Sequence, residues 1–581
     1  MIRKPNLRTA RSDGFTLVEM LIAMAVTLLL MAALGKGFAF IGESIRDSRV
    51  QVELTNDLRD VTHRLQEDLE RCTTRLRPCV DQQEPVGYFV YYEGPVTDAT
   101  SSLFLSTTDP RNPSPESRYG DFDDYLAFTV VATGDNWFTG VVPRQILDAK
   151  TAELAGQAYN ASNFPGGPND PIMIRSKYAE IIYFASPEYD PASSPANPQY
   201  LDFEGNGLPD RLKVHRRVLL IRPDLNLTTG LPEPRITALA AGGDWLTGMA
   251  AVHQQCDLSV RRVLNNGVAT NFVAANSLAD LAKPHNRFAH VRVPGAAIGI
   301  GADYTSMPIL ALGPAATVLT SAAGLTLGPP AMGSGSPVIT PTNWAGFLRP
   351  EFVLGGNRIG EDVLVPSAVG FDVKIYDTLA PVITTANGSV VSNSDPGYRE
   401  AMRALAAGNA TAIPGDFVDL MYPVLAGGPI RGWQARRWDR LTAAGQEDAV
   451  FAPGQLRSQF AGLTGLPNVN DAYTASLYRS GKIVVDGTPA IRLFQPTFDT
   501  YTNHYERDGL QQFHPLGARW RIDSVGVADR GADGLGVLGI APRETLPPFL
   551  SAPEAIRVTI RLEHQLNRQV RQLSVVHRER K

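Results

Sequence analysis

The stretch Gly14-Phe15-Thr16-Leu17-Val18-Glu19 opens an apolar run that continues to about Phe40, and its reading decides how the rest of the chain is understood. Between Phe15 and Leu34 the only ionisable residue is Glu19, and no proline interrupts the run. As a helix rising about 1.5 Å per residue, it is long enough to cross a hydrocarbon core of ~30 Å. Arg3, Lys4, Arg8 and Arg11 all precede it, so the positive-inside bias predicts a cytoplasmic N-terminus with the remaining chain outside the cytoplasm. A cleaved secretory signal would have a shorter apolar core followed by a small-residue site. Here the small residue, Gly14, comes before the run, so a cut there removes a basic leader and leaves the helix in place.

Glu19 does not fit a plain anchor. A carboxylate inside a bilayer costs roughly 2.5–3.5 kcal/mol on insertion scales, and such residues are usually functional. A cut after Gly14 would create an amino group on Phe15, one helical turn from Glu19. In a helical assembly that amine on one subunit can meet Glu19 of its neighbour.

Gly-Phe-Thr-Leu-Val-Glu followed by an apolar helix resembles the class III leader of type IV pilins and type II secretion pseudopilins. The resemblance implies that a prepilin peptidase cleaves after Gly14 and methylates Phe15, and that Glu19 is the assembly glutamate. It implies as partners other (pseudo)pilin subunits, an inner-membrane assembly platform and membrane lipid. One departure stands out. Major pilins often carry a helix-kinking proline partway along the stem, and here that region reads Leu34-Gly35-Lys36-Gly37.

The helical pattern outlasts the membrane-length run. Leu54, Leu58, Val61, Leu65, Leu69 and Cys72 recur at spacings of three and four, which is one apolar face. The pairs Asp60/Arg64 and Glu67/Arg71 lie at i,i+4 on the other face. Pro78 marks the latest end. The pattern predicts one long stem, apolar all round in its first half and amphipathic in its second, with the amphipathic half packed on a sheet.

The remaining chain is long enough for several domains, at 581 residues in all with 44% hydrophobic and 19% charged residues. A formal net charge of −5 argues against a nucleic-acid binder. Its 52 glycines and 43 prolines predict strands, turns and long loops rather than helix. Strand patterns fall at Tyr88 to Tyr92, Tyr125 to Val131, Tyr178 to Phe184, His215 to Ile221 and Val363 to Tyr376. Asp121, Asp123 and Asp124 read as a solvated loop. Ile556, Val558, Ile560 and Leu562 alternate with Arg557, Thr559 and Arg561, which predicts a half-buried antiparallel strand with a return strand over Val570 to Val576. The pattern also resembles minor pseudopilins, above all the J-type subunit and W-type minor pilins, in its segments Arg64 to Leu69, Ala179 to Tyr183 and the C-terminal strand.

The expected fold is therefore α+β. It has a long N-terminal stem helix, half transmembrane and half amphipathic, on an antiparallel β-rich pilin-like head with long loop insertions. The expected division is leader 1–14, transmembrane helix 15–40, amphipathic stem 41–77, first part of the head 78–222, loop-rich insertion 223–350, head strands 351–376, second insertion 377–550 and C-terminal hairpin 551–581.

Evidence for chemistry is sparse. Asp202, Glu204, Asn206 and Asp210 place oxygens at alternating positions around a glycine, as in calcium loops. The twelfth position, where glutamate belongs, is Lys213, so a polar hairpin tip is preferred and calcium is the alternative. Gly534, Gly536 and Gly539 match G-x-G-x-x-G by chance, because Pro542 follows and no helix pattern does. Cys72 and Cys79 are close enough to form a disulfide, with two free thiols as the alternative; Cys256 stands apart. There is no paired-histidine metal motif, no Gly-x-Ser-x-Gly elbow and no Walker loop. The expectation is a non-enzymatic minor subunit at low copy, without a cofactor. The alternative is a binding module or enzyme outside the cytoplasm that uses the stem as an anchor.

Overall fold

The computed structural model describes residues 16–76, 87–92, 120–122, 124–188, 192, 201, 211–225, 249, 252–265, 268–283, 286–294, 304–308, 310–312, 345–348, 352–392, 394–395, 401, 404–405, 407–419, 482–484, 491–494, 497–500, 506–507, 554–564 and 569–578. It begins with helix α1, Leu17–Glu70, 54 residues without a break. At the usual rise this is a rod of about 80 Å. Then come strands β1 (Phe89–Tyr92), β2 (Tyr125–Val131) and β3 (Phe138–Pro143), helix α2 (Arg144–Leu154), and strands β4 (Pro171–Ser176), β5 (Tyr178–Pro187) and β6 (Leu212–Leu220). The middle of the chain supplies β7 (Val260–Asn265), β8 (Val268–Ala275), β9 (His290–Pro294), β10 (Tyr304–Pro308), β11 (Leu310–Leu312), β12 (Ala345–Leu348), β13 (Val363–Thr385), β14 (Val390–Val391) and β15 (Ala410–Val418). The last strands are β16 (Lys482–Val484), β17 (Ile491–Phe494), β18 (Thr497–Asp499), β19 (Glu506–Arg507), β20 (Ala555–Glu563) and β21 (Val570–Arg578).

The expected α+β class is found. The principal sheet runs β18-β1-β2-β5-β6-β13-β20-β21, with β14 and β15 added on β13. Its pairings are antiparallel. The C-terminal hairpin pairs residue for residue, from Ala555 with Arg578 to Glu563 with Val570.

The amphipathic half of α1 lies on one face of this sheet. Leu54, Leu58, Val61, Leu65 and Leu69 are buried, along with Val50. They share a core with Ile556, Val558, Ile560 and Leu562 of β20, Phe371, Val373 and Ile375 of β13, and Tyr183 of β5. Alternation along β20 is what delivers that stripe, since successive strand residues point to opposite faces. Burying each such side chain contributes about 1.5–3 kcal/mol, so the seam outweighs the weak helix propensity of any one turn.

An ionic clamp secures the end of the seam. Asp68 is 1% exposed and accepts two hydrogen bonds from the Arg216 guanidinium, at 2.6 and 2.8 Å. The Tyr183 hydroxyl donates to the same carboxylate at 2.5 Å. Burial pulls Arg216 down, yet the hydrogen bonds and charge of Asp68 outweigh it and leave the guanidinium raised. Burial and the Asp68 charge push the Tyr183 phenol well up.

The helix stops at Glu70, short of the expected boundary at 77. The sheet captures the chain there. Cys72 forms a bridge with Val130, and the Thr73 N–H donates to the Thr129 carbonyl at 2.9 Å. Gly87, at φ +102°, brings the chain back into β1, and a Cβ there would lie 1.9 Å from Thr129 Oγ1.

The opposite face of the sheet is also covered among the described residues. Val90, Tyr92, Tyr125, Ile182, Phe184 and Leu219 form a second core with Leu281, Phe288, Leu348 and Phe352. Among the described residues of 223–350, Leu281 in a 3-10 turn, Phe288 and Leu348 of β12 cover this face, while the β7–β8 hairpin packs into the first core through Val260, Val273 and Ala275. Among the described residues of 377–550, β13 runs on to Thr385, and Thr497–Asp499 joins the principal sheet beside β1. Within this stretch residues 401, 404 and 405 are helical.

Leu65→Ala should lower the unfolding free energy of the detergent-solubilised protein by about 2–5 kcal/mol. Val52→Ala, at a position 59% exposed on the same helix, should change it by no more than about 0.5 kcal/mol. Chemical denaturation of the two variants side by side checks the seam.

Candidate functional site

Of the leader residues singled out in the sequence, Glu19 lies in the first turn of α1. Thr16 is its N-cap and Glu19 is the third helical residue. The Thr16 N–H donates to Glu19 Oε2 at 2.9 Å, the Thr16 hydroxyl to the same oxygen at 2.8 Å, and the Glu19 N–H to Thr16 Oγ1 at 3.3 Å. This capping box satisfies two amides that every helix start leaves unpaired, and it sets a negative charge at the positive end of the helix dipole. Glu19 therefore has a partner within its own chain. Gly14 and Phe15 lie outside the described residues.

From Thr16 to Arg46 the stem is exposed throughout. Leu17 is 77% exposed, Leu29 71% and Phe38 71%, and an 18-residue window of the helix is apolar enough to cross a membrane. In water a bare apolar cylinder of this size would be strongly unfavourable, so it needs lipid or other helices around it.

Elsewhere the described residues bring polar groups together deep inside the head. Glu180, fully buried on β5, accepts from the Tyr88 hydroxyl at 2.5 Å, the Ser259 hydroxyl at 2.6 Å and the Phe288 N–H at 3.0 Å. Arg287 lies over the Tyr88 ring, 4.0 Å from its centroid, and pairs with Asp499 at 2.6 Å. This network ties the sheet to the segment that caps its second face. Burial raises the Glu180 carboxyl, and the Ser259, Tyr88 and Phe288 hydrogen bonds and the Arg287 charge only partly offset it.

A second network joins Arg217, Asp257 and Arg358. Asp257 accepts from Arg217 at 2.8 Å, from Arg358 at 3.0 Å and from the Val141 N–H at 2.7 Å. Beside it, burial and the Arg217 charge lower the His253 imidazole to about 3, so it is neutral and packs edge-on against Phe288 at 4.9 Å. Burial pushes the Cys256 thiol up to about 12, which leaves it unreactive.

A third group is a serine–histidine–aspartate line. Ser186 Oγ lies 2.7 Å from His215 Nε2, and His215 Nδ1 lies 3.1 Å from Asp362 Oδ1. The order is that of a nucleophile, a base and its orienting acid. Sequence reasoning missed it because the three residues lie on β5, on β6 and in the turn before β13, with no local motif. Ser186 and His215 are each 2% exposed, and the Phe184 ring lies flat on the imidazole at 4.8 Å.

Two members of the acidic run before β2 differ from their sequence reading, and Asp123 lies outside the described residues. Asp121 and Asp124 are buried, not solvated. The Asp121 carbonyl accepts from the Phe371 N–H at 2.7 Å, and the Asp124 side chain accepts from the Val373 N–H at 2.6 Å, so both lace the segment onto β13. Asp121, Asp372 and Asp419 gather carboxylate oxygens within 4.8 Å of one another. Lys374 Nζ lies 3.1 Å from Asp372 and 2.8 Å from Asp419, and this ammonium supplies the positive charge a metal would bring.

Of the remaining sequence candidates, Asp202, Glu204, Asn206 and Asp210 lie outside the described residues, as do Gly534, Gly536 and Gly539. Among the described residues Cys72 has no disulfide partner; it lies 3.5 Å from Thr74 Oγ1 and is raised by burial, and Cys79 lies outside the described residues.

Residues 9–35 match the family model described as the prokaryotic N-terminal methylation motif. No curated protein and no solved structure matches the chain. The motif, set on an apolar N-terminal helix, supports a type IV pilin-like, membrane-anchored subunit and implies processing by a prepilin peptidase and assembly with other pilin subunits.

The raised Glu180 carboxyl makes a signed prediction. The folded state binds this proton more tightly than the unfolded chain, so the stability gained is fully present below the ordinary carboxyl value of 4.5 and is lost as pH rises through the raised folded value. Glu180→Gln should flatten that part of the stability profile, measured by thermal unfolding across acid to neutral pH.

Proposed function

We propose that the chain is a minor subunit of a type II secretion pseudopilus or type IV pilus, akin to the J-type pseudopilin or the W-type minor pilin. The observation that carries this reading is the methylation motif at residues 9–35, placed directly on a stem whose apolar surface is bare in the single chain. A prepilin peptidase cuts after Gly14 and methylates Phe15. The subunit then waits in the inner membrane, with its N-terminus cytoplasmic because Arg3, Lys4, Arg8 and Arg11 precede the apolar run, and with its head in the periplasm or beyond.

The assembly platform draws the stem from lipid into a bundle of other stems, where lipid contact is exchanged for helix contact. The carboxylate of Glu19 meets the amine of a neighbour's Phe15, an ion pair favoured by the low dielectric of the bundle. The size of the head argues for low copy, and a tip position suits it best. A head with two cores, one on each face of its sheet, is too bulky to repeat at every step of a closely wound fibre.

The capping box separates two roles of Glu19. Glu19→Gln keeps a side-chain acceptor for the Thr16 amide but removes the charge. Both Glu19→Gln and Glu19→Ala should be processed at Gly14 normally and then be lost from the sheared fibre fraction. Incorporation of Glu19→Gln at the parent level would contradict the ion-pair role.

A hydrolase anchored by a pilin stem is the second reading, and the Ser186–His215–Asp362 line is what favours it. Burial weighs against it, since a substrate carbonyl must reach Ser186 Oγ, and the line acts instead as a clasp between β5, β6 and the turn before β13. A fluorophosphonate probe should therefore leave Ser186 unmodified in the folded protein, and labelling that His215→Ala abolishes would reverse this conclusion.

A further inference from the structure

The principal sheet has two ends, and they are finished differently. At one end β18 is three residues long, and its Asp499 is buried in an ion pair with Arg287. At the other end β21 runs for nine residues and pairs on one side only, with β20. Among the described residues no strand pairs with its outer side. Val570, Leu573 and Val576 are 38%, 38% and 45% exposed. A strand of this kind offers alternate N–H and C=O groups to any chain that can lie alongside.

Proteins commonly blunt such edges with proline, a bulge, short length or charged side chains. Of these, β21 has only the charge. It has no proline, and its register with β20 shows no shift over nine pairs. What it carries is positive charge. Arg571 and Arg578 are exposed, and in sequence Arg568, Arg580 and Lys581 flank them against the single acid Glu579. This is a basic terminus on a chain whose formal net charge is −5. Two such edges laid side by side would bring like charges together, which disfavours pairing between copies. An acidic strand meets both the hydrogen-bonding edge and its charge.

The position of the edge gives it a use. Helix α1 packs against β21, so the open edge lies beside the stem. In a bundle of stems, which rests on the reading above, that is a side from which a neighbouring head can approach. We propose that the outer edge of β21 receives an acidic, extended segment from the head of a neighbouring subunit by strand addition, with Arg571 and Arg578 selecting the charge.

The test uses the full chain in detergent and three synthetic ten-residue peptides. One alternates glutamate with valine, one alternates lysine with valine, and one has the acidic composition interrupted by two central prolines. Fluorescence anisotropy reads binding, and amide hydrogen exchange reads protection over residues 570–578. The acidic peptide should bind and slow exchange at alternate amides of β21, while the lysine and proline peptides should not. Arg571→Glu with Arg578→Glu should weaken binding by about tenfold or more without changing the melting temperature, because both side chains are exposed rim charges.

Binding of the proline peptide as tightly as the acidic one, or binding with no protection over 570–578, would overturn strand addition. So would concentration-dependent dimerisation through β21, or capture by phosphatidylglycerol vesicles that the double variant abolishes while the acidic peptide fails to bind. The assay needs no processed N-terminus. Its failure is thereby separate from failure of the assembly reading, which is read at Phe15.

Discussion

The packing of the second half of α1 onto the sheet is the constraint on which everything else depends. Leu54 to Leu69 present a single apolar stripe, and β20, β13 and β5 present the matching inner face. Asp68 then fixes the register of helix and sheet through Arg216 and Tyr183. Removing one partner of such a buried charge pair leaves the other uncompensated, at a cost of about 3–5 kcal/mol. Because the helix is continuous from Leu17, the seam also decides where the membrane half points and couples any pull on the stem directly to the sheet.

Two kinds of signal made the stem and the edges of the fold legible in the sequence. The unbroken apolar run with one glutamate is a matter of composition, and the Leu54–Leu69 stripe and the alternation in Ile556 to Leu562 are matters of period. Each reports a local rule, 3.6 residues per helical turn or two per strand repeat, and tertiary context did not override them. The hairpin of β20 and β21 stands where its pattern places it, and α1 follows its stripe as far as Leu69 before the sheet captures the chain.

What the sequence hid depends on contacts between distant segments. Ile181, Ile182, Tyr183 and Phe184 form a continuous apolar run because both faces of β5 are buried, and the partner for the second face comes from Leu281, Phe288 and Phe352, far along a glycine-rich stretch without periodicity. Asp121 and Asp124 look like any polar turn until β13 is laid beside them. Glu180 and Ser186 sit in strand positions with no motif around them, and only the assembled sheet supplies Tyr88, Ser259 and His215. The capping of Thr16 by Glu19 within the chain was not foreseen, because it depends on side-chain geometry at the helix start rather than on the apolar pattern.

A bare apolar stem, a carboxylate at its first turn and a head packed on its second half are the parts that cleavage after Gly14 and methylation of Phe15, as proposed, prepare for assembly. The most direct measurement is intact-mass and N-terminal peptide spectrometry of the protein co-expressed with a prepilin peptidase. The account predicts a chain that begins at Phe15 with one methyl group on its amine. Retention of residues 1–14, or an unmodified Phe15 after the cut, would contradict it.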